Sequence, residues 1–205
     1  MKIVLLALAS YLYGAIPFAY LATRLLTGKK LTEEGTGNIS VTNAYKVGGI
    51  VVIIITLLGE ISKAVLPIYA ARSVCGNNLF VMLLCAFCAL VGTSFSVFLR
   101  GRGGKGSTVS IWTILILSPL AGVILLATWG LLALWARNKI IVKKLQLVCI
   151  PCVICLVERD PVFTAFGVLA SLLFLVTGYI RKDDYAYYNI FHQRSGLNNA
   201  DSPHS

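Results

Sequence analysis

Two short polar segments rich in glycine interrupt an otherwise apolar chain, and they hold the residues best suited to chemistry. Residues 35–43 read Gly-Thr-Gly-Asn-Ile-Ser-Val-Thr-Asn, and residues 101–106 read Gly-Arg-Gly-Gly-Lys-Gly. Glycine-rich turns expose backbone N–H groups, and hydroxyl, amide and ammonium groups beside them can complete a site for an anion such as phosphate. We therefore expect a phosphate-bearing ligand to bind at these two segments.

The second segment differs from the phosphate-binding loop of nucleotide-binding proteins. That loop has Ser or Thr after its lysine and a first glycine five positions before its second, whereas here Gly106 follows Lys105 and Leu99 stands at the first-glycine position. What remains is a cationic glycine-rich turn that opens an apolar run, so its free amides and the positive end of a helix would coincide. The alternative is a solvated turn without a ligand.

The first segment places polar side chains between small or apolar ones. These polar residues are Thr36, Asn38, Ser40, Thr42 and Asn43. Their hydroxyl and amide groups could hold the hydroxyls of a polyol together with a phosphate. Lys46 follows Asn43 by three residues, so it would reach the same place if a helix has already begun. The alternative is a helix N-cap with an ordinary loop.

The rest of the chain has the composition of an integral membrane protein. It is 58% hydrophobic and 13% charged over 205 residues, with a mean hydropathy of +0.83. Four apolar runs, at residues 3–26, 48–68, 79–99 and 162–180, approach or exceed the ~20 residues that cross a bilayer as a helix. Gly14 and Pro17 in the first run are typical of helix packing and kinks. This composition excludes an ordinary soluble domain.

The number of spans decides which side of the membrane each loop faces. Three shorter runs, at 107–117, 120–135 and 145–157, bring the total to seven, and most of the 18 Lys and Arg residues then lie on one side. One long helix over 107–136 would instead send the cations that follow it to the other side. We predict an all-α polytopic membrane protein with about seven transmembrane helices and polar glycine-rich cytoplasmic loops. Residues 1–182 would form a single transmembrane domain, and 183–205 a loosely ordered cytoplasmic tail.

Charge and cysteine content exclude other functional classes. The net charge of +10 follows the predicted inner face and forms no contiguous basic domain, so membrane lipid and anionic substrates are expected partners and nucleic acid is not. Five of the six cysteines fall inside predicted spans with no histidine nearby, so we expect no metal. Glu60 and Lys63 share a helix face inside the second span; either they neutralise each other or they line a polar cavity.

Several of these features together resemble a known family. Gly14-x-x-Pro17-x-x-Tyr20, residues 35–43, Glu60-x-x-Lys63 and residues 92–106 are similar to the bacterial acyl-phosphate:glycerol-3-phosphate acyltransferases of the PlsY type. The resemblance covers residues 14–137. It implies transfer of an acyl group from acyl phosphate to sn-glycerol 3-phosphate, giving lysophosphatidate in phospholipid biosynthesis, without acyl-CoA or a cofactor. It also implies a bacterial plasma membrane, an active site facing the cytoplasm, and contact with the enzyme that forms acyl phosphate.

The resemblance assigns roles to individual residues. As catalytic residues it indicates Thr36 in the place of the family's serine, Asn38 and Lys105. As substrate-binding residues it indicates Gly37, Thr42, Asn43, Lys46, Gly103, Gly104, Gly106 and Arg137. Lys105 and the neighbouring amides would hold phosphate, and Lys46 and Arg137 would add cationic contacts. Thr36, Asn38 and Asn43 would orient the acceptor.

The chain departs from the family pattern at other positions. Thr93 stands where the family has histidine, Ser96 replaces a proline and Gly101 an aromatic residue, and residues 181–185, Arg-Lys-Asp-Asp-Tyr, occupy the place of a His-Arg-Glu-Asn motif. Catalysis would then need another proton acceptor, such as a phosphate oxygen of a substrate. The alternatives are a weakened or non-catalytic relative that binds acyl or phosphate ligands, and an anion transporter.

Overall fold

The computed structural model describes residues 1–135, 139–181 and 184, without the side chains of 133–135 and 139–144. Its secondary structure in this part of the chain is helical. The helices are α1 (Lys2–Gly14), α2 (Phe18–Thr27), α3 (Val41–Cys75), α4 (Leu79–Ser94), α5 (Ser107–Leu117), α6 (Pro119–Trp135), α7 (Lys139–Glu158) and α8 (Pro161–Ile180), and a 3₁₀ turn at Val97–Leu99 follows α4.

Seven apolar segments lie in the described part of the chain, in agreement with the predicted number of about seven. Four segments are long and apolar enough to cross a membrane: Lys2–Thr27, Val41–Cys75, Leu79–Leu99 and Pro161–Ile180. Three shorter apolar helices accompany them: Ser107–Leu117, Pro119–Leu132 and Leu145–Glu158. The prediction of an all-helical, multi-pass membrane protein is therefore confirmed.

The first pass is bent where α1 ends and α2 begins, and Pro17 is the N-cap of α2. Proline has no N–H for the hydrogen-bond ladder, so a continuous helix is interrupted there. Just before the bend, α1 packs closely on α4, because a Cβ on Gly14 would overlap the backbone of Ala89. Tyr11 donates a hydrogen bond to the Phe95 carbonyl at 3.1 Å. The bend therefore lies against the end of α4.

α3 consists of two helical parts separated at Gly49, whose φ of 76° and ψ of −163° are not helical. The predicted membrane span began at residue 48, which agrees with the position of this break. The part before it starts at Val41 and carries Thr42, Asn43 and Lys46. A helix has therefore begun before Lys46, as the predicted proximity of Lys46 to Asn43 requires.

The main apolar core is formed by residues from each helix from α3 to α8. It contains Phe163 and Phe166 of α8 and Val81 and Ala86 of α4. A second, smaller core lies beneath the loop between α2 and α3. Its members are Ala19, Ala22, Leu31, Ile39, Ala44 and Val52. Leu31 and Ile39 belong to the loop itself, so this loop is anchored by buried apolar side chains at both of its ends.

The charged pair inside the second pass is buried and joined directly. Lys63 Nζ lies 2.7 Å from Glu60 Oε1, and its side chain is 2% exposed. The same ammonium lies 5.4 Å from the centre of the Phe18 ring. A buried charge needs a partner of opposite sign, and each supplies the other's. The geometry supports the interpretation that the two residues neutralise each other within the helix.

Candidate active site

The loop that contains the first glycine-rich segment is held from inside by Asn43. This side chain is fully buried. Its Oδ1 accepts the Thr36 N–H at 3.2 Å, and its Nδ2 donates to the carbonyls of Asn38 at 3.0 Å and Glu34 at 3.1 Å. Buried amide groups need such partners. Asn43 therefore shapes the loop, and a direct contact with substrate would require it to give up bonds to the backbone.

Two further features fix the path of this loop. Gly37 has a φ of 73°, which favours glycine, and a Cβ there would lie 3.1 Å from the Thr32 carbonyl oxygen. Ser40 caps α3, because its hydroxyl accepts the Asn43 N–H at 3.1 Å. The chain between Gly37 and Ser40 is thus fixed at both ends.

A carboxylate from beyond α8 lies against the polar face of the loop. Asp184 is 4% exposed, and it accepts three hydrogen bonds from side chains of the first segment. Thr36 Oγ1 donates to Oδ1 at 2.6 Å, Asn38 Nδ2 donates to Oδ1 at 2.7 Å, and Ser40 Oγ donates to Oδ2 at 2.8 Å. Bonds to an ionised acceptor are short and strong. Asp184 therefore gathers the loop's polar side chains at one point.

The second glycine-rich segment is held by its backbone. The Gly104 N–H donates to the Thr93 carbonyl at 2.8 Å. A Cβ on Gly103 would overlap the carbonyl oxygens of Thr93 and Ser94, and one on Gly104 would lie 2.9 Å from the carbonyl oxygen of Ile39. Glycine is therefore required where this segment passes the end of α4, and the segment also touches the first loop.

Arg181, the first residue after α8, binds this second segment. Its guanidinium donates to the carbonyls of Gly103, Gly104 and Ser94 and lies 5.9 Å from the centre of the Phe95 ring. Burial lowers the pKa of Arg181 below its ordinary value, but a guanidinium stays protonated at neutral pH. The positive charge is thus fixed under the turn that carries Lys105.

Lys105 lies at the start of α5. The helix begins at Ser107 with Gly106 as its N-cap, and no side chain within the described part of the protein caps it. The first N–H groups of a helix have no partner within it, and they carry the positive end of the helix dipole. Lys105 is half-buried beside them. A lysine next to uncapped amides is a combination suited to binding phosphate.

The structure brings most of the predicted site residues to this end of the bundle. Thr36, Gly37 and Asn38 lie on the first loop, and Gly103, Gly104, Lys105 and Gly106 lie on the second. In the first part of α3, Thr42 is half-buried and Lys46 is exposed. Arg137 lies outside the described residues. Whether each residue contacts substrate stays a prediction.

Sequence reasoning missed three members of this site. The sequence marks Ser40 only as a polar loop residue, and it marks Arg181 and Asp184 only as occupants of an unmatched motif. The available signal was a run of charged residues directly after the last span, at the end where both glycine-rich segments were expected. The predicted tail from residue 183 lies outside the described residues except for Asp184.

Two of the departures from the family pattern have structural partners. Thr93 Oγ1 donates to the Gly14 carbonyl at 3.1 Å, and Ser96 Oγ donates to the Ala15 carbonyl at 2.5 Å. Both bonds tie the end of α4 to the bend of the first pass. These hydroxyls therefore stabilise the end of α4, against which the second segment packs.

Comparison with known proteins gives a consistent match. The family model described as glycerol-3-phosphate acyltransferase matches residues 4–184. A glycerol-3-phosphate acyltransferase of Syntrophotalea carbinolica is 31% identical over 169 residues, which cover 82% of this chain and 86% of that protein. One of Syntrophomonas wolfei is 38% identical over 117 residues, and this match spans 57% of the chain and only 59% of the relative's length.

A solved structure shows the same fold. The crystal structure of PlsY (YgiH), an integral membrane glycerol 3-phosphate acyltransferase in its glycerol 3-phosphate form, superposes with a TM-score of 0.78 over 96% of this chain and 94% of that one, at 19% identity. The family model and the relative from Syntrophotalea carbinolica confirm the resemblance that the sequence shows. Since the family model matches residues 4–184, which include both glycine-rich loops, the chain belongs to the glycerol-3-phosphate acyltransferase family.

Proposed function

We propose that this membrane glycerol-3-phosphate acyltransferase takes its acyl group from acyl phosphate and transfers it to the 1-hydroxyl of sn-glycerol 3-phosphate. The products would be lysophosphatidate and inorganic phosphate. The observation that carries the proposal is the link between the two glycine-rich loops. Arg181 donates to the second loop and Asp184 accepts from the first, and this supports a single site formed by a phosphate-binding turn and a set of hydroxyl and amide groups.

The second loop suits the phosphate of the donor. Acyl phosphate is already activated, so catalysis needs alignment of the two substrates, stabilisation of the departing phosphate and removal of one proton. Lys105 and the first amides of α5 would stabilise the phosphate's charge, and Gly103, Gly104 and Gly106 permit the close turn. An acyl-enzyme intermediate is not required.

The first loop suits the acceptor. Thr36 and Asn38 present a hydroxyl and an amide at its polar face, where they would orient the glycerol hydroxyls. Lys46 and Arg137 would add positive charge for the acceptor's own phosphate. Gly37, Thr42 and Asn43 would contribute through the shape of the loop and the first turn of α3.

The surroundings follow from the membrane. The acyl chain would lie between apolar helices, while the polar loops face the cytoplasm, where the positive-inside rule places their cations. In a bacterial plasma membrane the donor could come directly from the enzyme that forms acyl phosphate, since a long-chain acyl phosphate is amphipathic. No cofactor is needed by this scheme.

The purified protein in detergent tests the proposal when it is given palmitoyl phosphate and radiolabelled glycerol 3-phosphate without coenzyme A. We expect labelled lysophosphatidate and an equal amount of inorganic phosphate. A parallel reaction with palmitoyl-CoA should give none. Product from palmitoyl-CoA alone would show that the proposed donor is wrong, and ligand binding without any product would indicate a non-catalytic relative.

A further inference from the structure

The role of Asp184 is not explained by the mechanism outlined above. Its carboxylate is buried in a site intended for two anionic substrates, where a further negative charge opposes binding. It nevertheless accepts hydrogen bonds from Thr36, Asn38 and Ser40 at 2.6 to 2.8 Å. An ionised carboxylate only accepts hydrogen bonds. This property fixes the direction of each of the three bonds.

The consequence is largest at Thr36. A hydroxyl has one proton to donate and two lone pairs with which to accept. The proton of Thr36 is directed to Asp184, and one lone pair receives the Asn38 N–H at 3.3 Å. The remaining lone pair can only accept. A substrate hydroxyl that meets Thr36 must therefore donate its proton to the Thr36 oxygen, which is the polarity that deprotonation of an acceptor alcohol requires.

We propose that Asp184 is the positioning residue of Thr36 and receives the proton of the acceptor hydroxyl through it. The inference rests on the proposed function. As the substrate oxygen bonds to the acyl carbon, its proton passes to Thr36 Oγ1 and the Thr36 proton passes to Asp184. The acyl carbon–phosphate oxygen bond breaks, and the electron pair leaves with the phosphate. Asp184 then releases its proton to water, and the phosphate is protonated to HPO₄²⁻.

The supports on either side make this relay a built arrangement. Asn43 accepts the backbone N–H of Thr36 at 3.2 Å, and Arg181, three positions before Asp184, donates to the carbonyls of Gly103 and Gly104 in the second loop. Asn38 donates a second bond to Oδ1 and Ser40 donates one to Oδ2, so both oxygens of the buried carboxylate have hydrogen-bond partners. The relay is therefore held at a fixed place relative to Lys105.

The test compares Asp184→Asn, Thr36→Val and their double mutant with wild type. Each single change should lower kcat by about 10²-fold or more while KM for glycerol 3-phosphate changes little. The double mutant should lose no more than either single mutant, because both remove the same relay. Thr36→Ser should restore activity relative to Thr36→Val. Wild type should show a solvent deuterium isotope effect on kcat that Asp184→Asn reduces.

The matched control is Glu33→Gln, which removes an exposed carboxylate from the same loop. It should behave as wild type. Wild-type kcat in Asp184→Asn, fully additive losses in the double mutant, or a loss confined to KM would each overturn the inference. If Asp184→Asn fails to fold, Thr36→Val, which preserves side-chain shape, together with Thr36→Ser decides the outcome.

Release of phosphate from palmitoyl phosphate with water as acceptor separates this inference from the proposed function. No lysophosphatidate, but phosphate release that falls in Asp184→Asn, would show that the proposed acceptor is wrong and the relay is right. Lysophosphatidate formed equally by wild type and Asp184→Asn would show that the proposed acceptor is right and the relay is wrong. A wild-type protein that consumes palmitoyl phosphate with neither acceptor would overturn both.

Discussion

The two glycine-rich loops of this protein are built in different ways. The first loop is shaped by polar side chains, since Asn43 holds its backbone and Asp184 gathers its hydroxyl and amide groups. The second loop is shaped by the backbone, since Gly103 and Gly104 pass so close to neighbouring carbonyl oxygens that no side chain would fit. The conformation of the first loop therefore depends on side-chain hydrogen bonds, and that of the second depends on the absence of side chains at its glycines.

This difference fits the two tasks proposed for the loops. An acceptor hydroxyl must be oriented and deprotonated, which needs side chains with directed hydrogen bonds. A phosphate needs positive charge at a fixed distance, which a rigid turn supplies. Arg181 contributes here by binding the carbonyls of Gly103 and Gly104, so the negative ends of these peptide dipoles are compensated beside the proposed phosphate site. We expect substitutions in the two loops to fail in different ways.

The largest effect is expected from Lys105→Ala. Removing the cation beside the uncapped start of α5 should lower kcat by ~10²–10³-fold, a loss typical of removing one group that stabilises transition-state charge. The rate of lysophosphatidate formation measures it, with Lys29→Ala as the control because Lys29 is an exposed lysine in the loop after α2. A Lys105→Ala protein with more than half of wild-type activity would contradict the assignment of phosphate to the second loop.

Gly103→Ala tests whether the second loop depends on close backbone packing. The added methyl would overlap the carbonyl oxygens of Thr93 and Ser94, so the turn must shift, and a displacement of ~1 Å can cost ~10²-fold in rate. Gly178→Ala is the matched control, because a Cβ there meets nothing within 4 Å. That control should keep full activity and raise the melting temperature slightly, since alanine favours a helix. Equal behaviour of the two variants would show that the loop is not sterically constrained.

Arg181→Lys asks how much of the second loop's geometry comes from the guanidinium. Lysine keeps the charge but cannot form the planar fork to three carbonyls, so we expect a loss of roughly tenfold in kcat/KM. Arg72→Lys, at an exposed position near the end of α3, serves as the control and should change nothing. If Arg181→Lys matches wild type while Arg181→Ala is inactive, charge alone is sufficient and the fork is not needed.

The helices could be predicted from the sequence because each membrane pass is encoded locally. Apolar runs set the spans, and Pro17 and Ser118-Pro119 mark two of the breaks. The interruption at Gly49 is not predicted from the sequence, because it lies inside the apolar run 48–68, where two adjacent glycines are also compatible with an unbroken helix. The two loops are also encoded locally. Their polar and glycine residues differ sharply from the apolar chain around them, so the sequence alone indicates them as site candidates.

The contacts of individual site residues could not be predicted in the same way. Asp184 is 148 positions from Thr36, and nothing in its residue type indicates that it bonds this hydroxyl. Asn43 has the same chemistry whether its amide faces a ligand or the loop backbone, and only its burial decides between them. Such choices depend on tertiary packing, which a single sequence does not specify position by position.

The smallest predicted effect separates the two roles of Ser40. This residue caps α3 and also donates to Asp184, whereas Asn78 caps α4 through the Val81 N–H at 3.2 Å and lies outside the site. Ser40→Ala and Asn78→Ala should each lower stability by about 0.5–2 kcal/mol, as loss of an N-cap does. Only Ser40→Ala should also lower kcat, by a few-fold, because Asp184 loses one of its donors. Thermal unfolding and initial rates measured on both variants give the comparison. An equal change of kcat in both variants would show that Ser40 acts only as the N-cap of α3. The side-chain bonds that shape the first loop would then be those of Thr36, Asn38 and Asn43.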